Sequence, residues 1–596
     1  MRDHTFTHSR NDKSLDVRGA PPRASDTAPL RGLGMPLMAL VQQRAGRDHL
    51  PGTLDARPVP ISYSGPGRNS GNIRSTAQRA GGHYSTSIQL SRFDFDDIII
   101  GGGIGGLTAA ALLGRRGRRA LLLEAHTSTG GCAGYFDRFE RREDGGRDRY
   151  RFDVGATTIS GVAEGQSLRA LFRELGEEPA MRRIEPGMVC ILGDGTLVTR
   201  YSDRERWIAE CVRVFGESGQ RKFWEEIFSV NDRAWGLSEM NRTFPPKSLA
   251  DLLRMARPAN LANLPLLRYI ATPVLGVMRR HELDGNERFL RFIDEQLMIT
   301  AQNVAAWTPF LIGAMGLAYP TETWYADGGM RALAELLEHA ITGSGGEIRL
   351  KRLVTAVRPD AGGWRAETAR GESFTAERII SNATMSNMMG LVKMDRSGDH
   401  DYFQRQVERA GAGWGAFTLY CAVRDTFQDY GTLYHQIHTP PIPDAGAGSV
   451  FVSLSHRDDR RRAPAGWRTM TVSTHIADPG SWLPGPGGDR GDEEYEERKR
   501  MLADIVLVAI GGALPGFAEA ERKFLLSGTP RTFQFYTHRR FGMVGGIPHS
   551  IQRNILGAPK FRTPFKGLYL VGDTVYPGQG IPAVVLGAMN LVAEIG

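Results

Sequence analysis

The feature that most constrains this fold is a glycine-rich turn between a short apolar strand and a helix. Residues 98–100 predict a buried strand, and the turn occupies residues 101–106. A helix is predicted over 107–116 and a second strand over 120–123, which ends in Glu124. A strand, a G-x-G-x-x-G turn, a helix and a second strand ending in an acid together indicate a βαβ unit that binds a dinucleotide.

The residue types in the turn have separate physical roles. Gly101 permits the tight turn, Gly103 lets a pyrophosphate approach the backbone, and Gly106 allows the helix to pack closely on the strand. The N-terminus of the helix offers unpaired N–H groups and a positive dipole end to phosphate. The acid at the end of the second strand is placed to accept hydrogen bonds from a ribose. The predicted contacts at this end of the cofactor are Gly101, Gly103, Ile104, Gly105, Gly106 and Glu124.

Two further segments favour FAD over NAD as the dinucleotide. A glycine pair follows Glu124, where an extended cofactor would meet the backbone a second time. Far along the chain, a strand predicted over 567–571 ends in a Gly-Asp pair that precedes a C-terminal helix. The acid can bind cofactor hydroxyls, and the helix N-terminus can stabilise negative charge on a reduced flavin. We therefore predict non-covalent FAD, whose further contacts are Gly130, Gly131, Gly572, Asp573, Gly580 and Ile581.

Six sequence segments spread over most of the chain form a recognisable set. They lie at 130–136, 152–157, 324–333, 379–383, 529–533 and 572–580. With these segments, residues 93–596 resemble the carotenoid desaturase and isomerase branch of the FAD-dependent oxidoreductases, which includes the phytoene desaturases. The resemblance implies that Val354, at the end of a strand predicted over 348–354, contacts the adenine. Cys132 and segment 152–157 are most similar to those of the C-3′,4′ carotenoid desaturases.

The resemblance implies a reaction that the residues permit, namely desaturation of an acyclic carotenoid by hydride transfer to flavin N5. The alternatives are carotenoid cis–trans isomerisation with reduced FAD, a flavin amine oxidase, and a non-catalytic isoprenoid carrier. Quinone or oxygen would reoxidise the flavin. No general base stands out. His538 is expected to be solvated, and Cys132 to be a packed thiol beside the cofactor. The catalytic residues therefore stay unassigned.

The length of the chain requires more than one folded unit. Its 596 residues are 41% hydrophobic and 23% charged, which suits a globular protein of two or three units. The predicted fold is α/β, with a discontinuous Rossmann-type FAD-binding domain and an inserted α+β substrate domain. The FAD-binding domain is predicted over 93–160, 322–390 and 527–596, and the substrate domain over 161–321 and 391–526. Helices are expected to dominate 167–297, and strands to follow 413.

Residues 1–92 differ from the rest of the chain and are predicted to be a disordered N-terminal extension. The first 91 contain twelve Lys or Arg and six Asp or Glu, and hold most of the formal net charge of +8. Because the remainder is nearly neutral, no nucleic-acid partner is predicted. A transit peptide is the alternative interpretation, since such segments are rich in Arg and Ser and poor in acids.

Three uncharged windows, at 98–114, 296–321 and 574–593, are interrupted by Gly, Pro or amides and predict no membrane span. Residues 252–281 contain no acid and place five arginines among apolar residues. Such a segment can lie in a membrane interface, so peripheral membrane association is predicted. We expect a cytoplasmic protein, or an organellar one if 1–91 is a transit peptide. Four separated cysteines with no metal-ligand spacing predict reduced thiols and no metal site.

Overall fold

A computed structural model describes residues 92–240, 249, 253, 263–394, 397–484, 492–553 and 555–596. The N-terminal extension and its alternative, the transit peptide, lie outside the described residues. The strands, in chain order, are β1 Phe95–Ile100, β2 Ala120–Leu123, β3 Tyr135–Arg141, β4 Arg147–Asp153, β5 Met181–Arg183, β6 Met188–Ile191, β7 Leu197–Arg200, β8 Trp324–Ala326, β9 Glu347–Arg349, β10 Val354–Asp360, β11 Gly363–Thr368, β12 Ser373–Ser381, β13 Gly415–Arg424, β14 Tyr434–His438, β15 Ser449–Leu454, β16 Trp467–Ile476, β17 Arg522–Gly528 and β18 Leu568–Leu570.

The α-helices differ mainly in length and in how much of their surface is buried. In chain order they are α1 Ile104–Arg115, α2 Ser167–Leu175, α3 Arg204–Phe215, α4 Gln220–Met240, α5 Arg268–Ala271, α6 Val274–Arg280, α7 Glu287–Ala301, α8 Phe310–Ala318, α9 Met330–Gly343, α10 Met385–Leu391, α11 Ser397–Ala410, α12 Asp492–Ala513, α13 Pro530–Thr537 and α14 Ile581–Ile595. Within the described residues, no helix is both long enough and apolar enough to cross a membrane.

The first sheet is Rossmann-like and has the strand order β10-β11-β12-β1-β2-β9, with β18 paired to β12. Its centre is parallel, and Ile98 lies between Leu121 and Ile379. These strands are almost continuously apolar because helices cover both faces of a parallel sheet. At the start of β1, the buried Asp97 carboxylate accepts a 2.6 Å hydrogen bond from Arg378. The fold is therefore a mixed α/β fold, as predicted from the glycine-rich turn.

The second sheet has the order β17-β13-β16-β15-β14-β6-β7 and is antiparallel except where β14 meets β6. An apolar core packs between this sheet and the helices α3, α4, α7 and α8. The expectation that helices dominate 167–297 is wrong for 181–200, which forms β5, β6 and β7. The short apolar run of β6 is buried at every position, and such a run does not distinguish a strand from a helix.

A charged hairpin joins the two sheets. Strands β3 and β4 pair in register from Tyr135–Asp153 to Arg141–Arg147. At its inner end, Asp153 is fully buried, accepts a 2.9 Å hydrogen bond from the Met330 N–H and pairs with Arg462 at 2.7 Å. The hairpin therefore fixes the N-terminus of α9 to the loop before β16.

Candidate functional site

The glycine-rich turn has the geometry that the sequence predicts. Gly101 adopts φ +93° and donates its N–H to the Leu123 carbonyl at 2.9 Å. A Cβ atom on Gly106 would overlap the carbonyl oxygen of Gly101. Gly103 is the N-cap of α1, with no side-chain cap and no acid in the first turn. The first N–H groups of α1 are therefore left for an external acceptor, which suits an anion.

Asn382 lies at the centre of the site and was not among the predicted contacts. Its backbone N–H donates to the Ile100 carbonyl at 2.8 Å. Its amide would lie 2.5 Å from a Cβ on Gly103, 2.9 Å from one on Gly105 and 2.8 Å from one on Gly572. One side chain thus fills the space left by three predicted glycines. It brings the first turn and the segment after β18 together.

Glu124 contacts the turn directly through its carboxylate. One oxygen accepts the Gly102 N–H at 2.6 Å, and the other accepts the His126 N–H at 2.7 Å. A carboxylate has about four acceptor positions, so both oxygens can still accept bonds from a ribose. The Arg352 N–H donates to the Glu124 carbonyl at 2.8 Å, which brings Val354 to this side of the sheet.

The strand predicted over 348–354 is wrong as one element. The structure has β9 ending at Arg349 and β10 beginning at Val354. Between them Lys351 adopts φ +57° and donates its N–H to the His126 carbonyl at 2.9 Å. The backbone therefore leaves the sheet here to hydrogen-bond the residues that follow β2.

The second glycine pair, which was predicted to contact the cofactor, lies against the first turn. The Gly130 N–H donates to the Gly102 carbonyl at 2.7 Å, and Gly130 adopts φ +107°. A Cβ on Gly131 would lie 3.2 Å from the Cα atom of Gly103. Neither position has room for a side chain, so the backbone stays open on this side of the turn.

Asp573 is engaged by a buried arginine that the sequence did not assign to the site. Arg539 donates to the Asp573 carboxylate and, at 3.3 Å, to the Cys132 sulfur. The Arg539 side chain is only 11% exposed. Burial by itself lowers the pKa of Arg539, but the Asp573 carboxylate and the Cys132 thiol raise it overall. A charged guanidinium therefore joins two segments predicted to contact the cofactor, while the neighbouring His538 is exposed.

The C-terminal helix α14 provides a second uncapped N-terminus. Gly580 is its N-cap with φ +93°, again with no side-chain cap and no acid in the first turn. Ile581 is buried in the same apolar cluster as Ile104. The Pro582 carbonyl accepts a 2.7 Å hydrogen bond from Ser167, which fixes the first turn. The structure therefore places all the predicted segments on elements around the parallel sheet.

A cavity of about 300 Å³ lies elsewhere, between α7 and residues 446–447. None of the predicted cofactor contacts lines it. Asp294 in its wall accepts the Ala305 N–H at 2.6 Å. Burial and then the adjacent Glu295 raise the pKa of Asp294 to about 6. This carboxyl group therefore titrates well above its usual range.

Comparison with known proteins agrees with this geometry. Residues 99–175 match the family of NAD(P)-binding Rossmann-like domains. The chain is 27% identical over 532 residues to prolycopene isomerase 1 from an Oncidium hybrid cultivar, covering 84% of each chain. It is 25% identical over 530 residues to the neurosporene-forming phytoene desaturase of Rhodobacter capsulatus, covering 84% of this chain and 93% of that one.

Among solved structures, an oxidoreductase from Methanosarcina mazei has the same fold. It matches with a TM-score of 0.57 and 16% identity, covering 84% of this chain and 100% of that one. At this identity the match concerns the fold alone. The curated relatives extend over nearly the same share of the chain. By sequence, the chain is therefore similar over most of its length to carotenoid isomerases and desaturases, and it contains a Rossmann-like domain.

Proposed function

We propose that the chain is an FAD-dependent oxidoreductase that desaturates an acyclic carotenoid. The observation that carries the proposal is the packing of Gly103, Gly105 and Gly572 around Asn382. This packing brings the uncapped N-termini of α1 and α14, together with Glu124 and Asp573, around the glycine-rich turn at 101–106. The names of the relatives supply the substrate class, since they act on prolycopene and phytoene.

The residues present suit FAD as the cofactor. A Cβ on Gly103 would meet the Asn382 amide, and one on Gly131 would lie 3.2 Å from the Gly103 Cα, so glycine at both positions lets the backbone close tightly around the α1 N-terminus, where a pyrophosphate would bind. The Glu124 carboxylate would accept the hydroxyls of the adenosine ribose, and Val354 would border the adenine. Gly572, Asp573 and the α14 N-terminus would hold the flavin half.

The chemistry comes from the cofactor, and the chain supplies binding and orientation. Bound FAD would accept a hydride at N5 from an allylic carbon, while the neighbouring carbon loses a proton and a new double bond forms. The charged Arg539 would hold the Asp573 carboxylate in place, because an unpaired buried carboxylate is costly. The uncapped α14 N-terminus would stabilise negative charge near the flavin ring. Quinone or oxygen would then take the electrons.

Isomerisation is the second candidate function. Prolycopene isomerases are among the relatives, and their identity to this chain is slightly higher than that of the phytoene desaturase. An isomerase would need the same cofactor site but would leave the mass of the polyene unchanged. The two functions therefore differ in redox balance rather than in architecture.

A single anaerobic experiment separates the two functions. FAD-loaded protein is mixed with acyclic carotenoids in liposomes, and flavin absorbance is followed alongside product chromatography and mass. Desaturation predicts flavin bleaching with a product lighter by two hydrogens. A same-mass isomer formed only after chemical reduction of the flavin would instead establish isomerisation. No change in either redox state would contradict both functions.

We further propose that the face around α5 and α6 contacts a membrane. Leu264 and Leu267 are about half exposed, and Arg279 is 64% exposed on the same segment. Both arginines at the end of α6 are partly neutralised, since Arg279 pairs with Asp284 at 3.2 Å and Arg280 with Glu226 at 2.9 Å. Much of the predicted basic segment, 254–262, lies outside the described residues. Cosedimentation with anionic and neutral vesicles would test this contact, and equal absence from both would contradict it.

A further inference from the structure

Arg200 is a fully buried cation at the centre of the helical core. It ends strand β7 and is 1% exposed. Its guanidinium carbon lies 4.0 Å from the Trp207 ring centroid and 5.4 Å from that of Trp224. One nitrogen, Nη2, donates to the carbonyl of Leu317. The guanidinium is therefore enclosed by two indole rings and one backbone oxygen.

Arg200 has no carboxylate within ion-pair distance among the described residues, unlike other buried arginines of the chain. Arg462 pairs with Asp153 at 2.7 Å, and Arg468 with Asp429 at 2.7 Å. Two more of the Arg200 nitrogens, Nε and Nη1, are buried and have no hydrogen-bond partner. A buried charge without a partner is costly, and two of the three Arg200 nitrogens lack an acceptor.

The groups next to Arg200 are also unpaired donors. The indole N–H of Trp207 and the amide nitrogen of Gln220 are both buried without a hydrogen-bond partner. Gln220 accepts a 3.2 Å bond from Trp224, whose ring packs edge-on against Trp207. The cluster of Arg200, Trp207, Trp224 and Gln220 is thus contiguous and presents donors without acceptors.

The cysteines beside Arg200 do not supply the missing negative charge. Burial raises the pKa of Cys190 to about 12, despite the nearby Arg200. Burial also raises the pKa of Cys211 well above its usual value. Burial lowers the pKa of Arg200 to about 10, which leaves the guanidinium charged near neutrality. The counter-charge must therefore come from outside this cluster.

A short path of packed backbone connects this cluster with the candidate cofactor site. Leu317, which accepts from Arg200, lies near the end of α8. Just beyond it, Trp324 and Ile159 exchange backbone hydrogen bonds of 2.8 and 3.2 Å. Two residues after Ile159, a Cβ on Gly161 would lie 2.8 Å from the Pro582 ring in the first turn of α14. Backbone and ring contacts therefore link the segment that follows Leu317 to the first turn of α14.

We propose that Arg200, with Trp207 and Gln220, binds a carboxylate at one end of a long polyene substrate. The inference rests on the proposed function, since it assigns the end group of the molecule that the flavin site would process. The carboxylate would accept from Arg200 Nε and Nη1, from the Trp207 indole and from the Gln220 amide nitrogen, which would satisfy all four orphaned donors. The apolar core around the cluster would enclose the carbon chain.

The test uses parinaric acid, a linear polyene carboxylate whose fluorescence rises on burial, and its methyl ester. The FAD-loaded wild-type protein should bind the acid about tenfold or more tightly than the ester near neutral pH, because the ester carries no charge. Arg200→Gln should abolish that preference, Arg200→Lys should keep part of it, and Trp207→Phe should reduce it while keeping the aromatic ring. Arg206→Gln is the matched control, since Arg206 also lies over a ring, that of Tyr201, but is exposed.

The outcomes separate this inference from the proposed function. Equal binding of acid and ester by wild type would overturn the carboxylate site while leaving a polyene-binding flavoenzyme in place. Binding of neither form would count against the proposed function as well. If Arg200→Gln fails to fold, the ratio of acid affinity to ester affinity in wild type, Trp207→Phe and Arg206→Gln still decides whether the carboxylate site exists. Equal displacement of the probe by octadecanoic acid would overturn the requirement for a polyene.

Discussion

The amide of Asn382 occupies the space that a side chain on Gly103 would need. A Cβ on Gly103 would lie 2.5 Å from Asn382 Nδ2, and no other residue contributes an atom within 4 Å of that position. Nearly 280 residues separate the two along the chain, yet one amide decides whether the turn can accept a methyl group. This relationship lets folding and cofactor binding be separated experimentally.

Gly103→Ala should destabilise the apoprotein by about 1–3 kcal/mol, since Asn382 must move. Adding Asn382→Ala should recover much of that loss. The affinity for FAD should stay at least about tenfold below wild type in both, because the single variant displaces Asn382 and the double variant removes its amide, and either change loosens the turn that would bind the pyrophosphate. Urea unfolding and FAD titration measure the two effects. Gly236→Ala is the control, since its Cβ meets nothing within 4 Å. Wild-type FAD affinity in the double variant would contradict the proposed role of Gly103.

The Arg539–Asp573 pair should contribute coupled stability. Arg539→Gln and Asp573→Asn should each destabilise the protein, and the double variant should lose less than their sum by about 1–3 kcal/mol. The control pair is Arg204–Asp232, whose side chains are 47% and 50% exposed at a 2.7 Å separation. Its coupling should stay below about 1 kcal/mol. Denaturant unfolding of the wild type, the single variants and the double variant of each pair measures the two coupling energies. Equal coupling energies would show that burial of Arg539 does not strengthen its ion pair.

Buried histidines should make the protein sensitive to acid. Burial lowers the pKa of His438 to about 4, from an ordinary value near 6.5. Folding therefore favours the neutral imidazole. The contribution of this group to the free energy of unfolding is lost as pH falls from about 6.5 to 4. His438→Phe should keep the stacking on Phe292 and be more stable than wild type by about 2–3 kcal/mol near pH 4. Unfolding free energies near pH 7.5 and 4.5 check this, and parallel pH profiles would count against it.

Asp294 should make the folded protein less stable as the pH rises, whereas His438 makes it less stable as the pH falls. Its pKa of about 6 lies above the ordinary value of 3.8, so the folded state holds a proton that the unfolded state has lost between these values. Stability from this group is present at low pH and falls as pH rises to 6. Asp294→Asn keeps an acceptor for Ala305 and should gain about 1–2 kcal/mol near pH 7. Exposed Asp401→Asn should change stability little, and an unchanged pH profile for Asp294→Asn would refute the assignment.

The parts of the site that follow from local sequence were predictable. The turn at 101–106 belongs to one βαβ unit. The strand, the turn and the terminal acid of that unit follow one another in the sequence, so each can be recognised locally. Asn382 was noted only as part of segment 379–383, because its place against the glycine-rich turn depends on β12 lying beside β1. Arg539 was passed over for the same reason. Its partners Cys132 and Asp573 come from two distant parts of the chain.

The secondary structure, like the site, was predictable where it depends on local sequence and not where it depends on distant residues. The strands expected after residue 413 are confirmed by β13 and β16, which run for 10 residues each. The split of 348–354 was not predictable, since it depends on a hydrogen bond from Lys351 to the distant His126 carbonyl. The strands at 181–200 were missed because each has only three or four residues. Such short runs take their structure from the sheet that they join.

The pairing of β18 with β12 has a consequence for synthesis of the protein. The glycine turn at Gly101 leaves the ribosome early, but Gly572 and α14 follow more than 450 residues later. At translation rates of about 5–20 residues per second, the first half of the site waits roughly 25 to 95 seconds for the second. During that interval the backbone edge of β12 that pairs with β18 is open on the nascent chain. A chaperone bound at this edge would therefore shield the protein when it is most prone to aggregate.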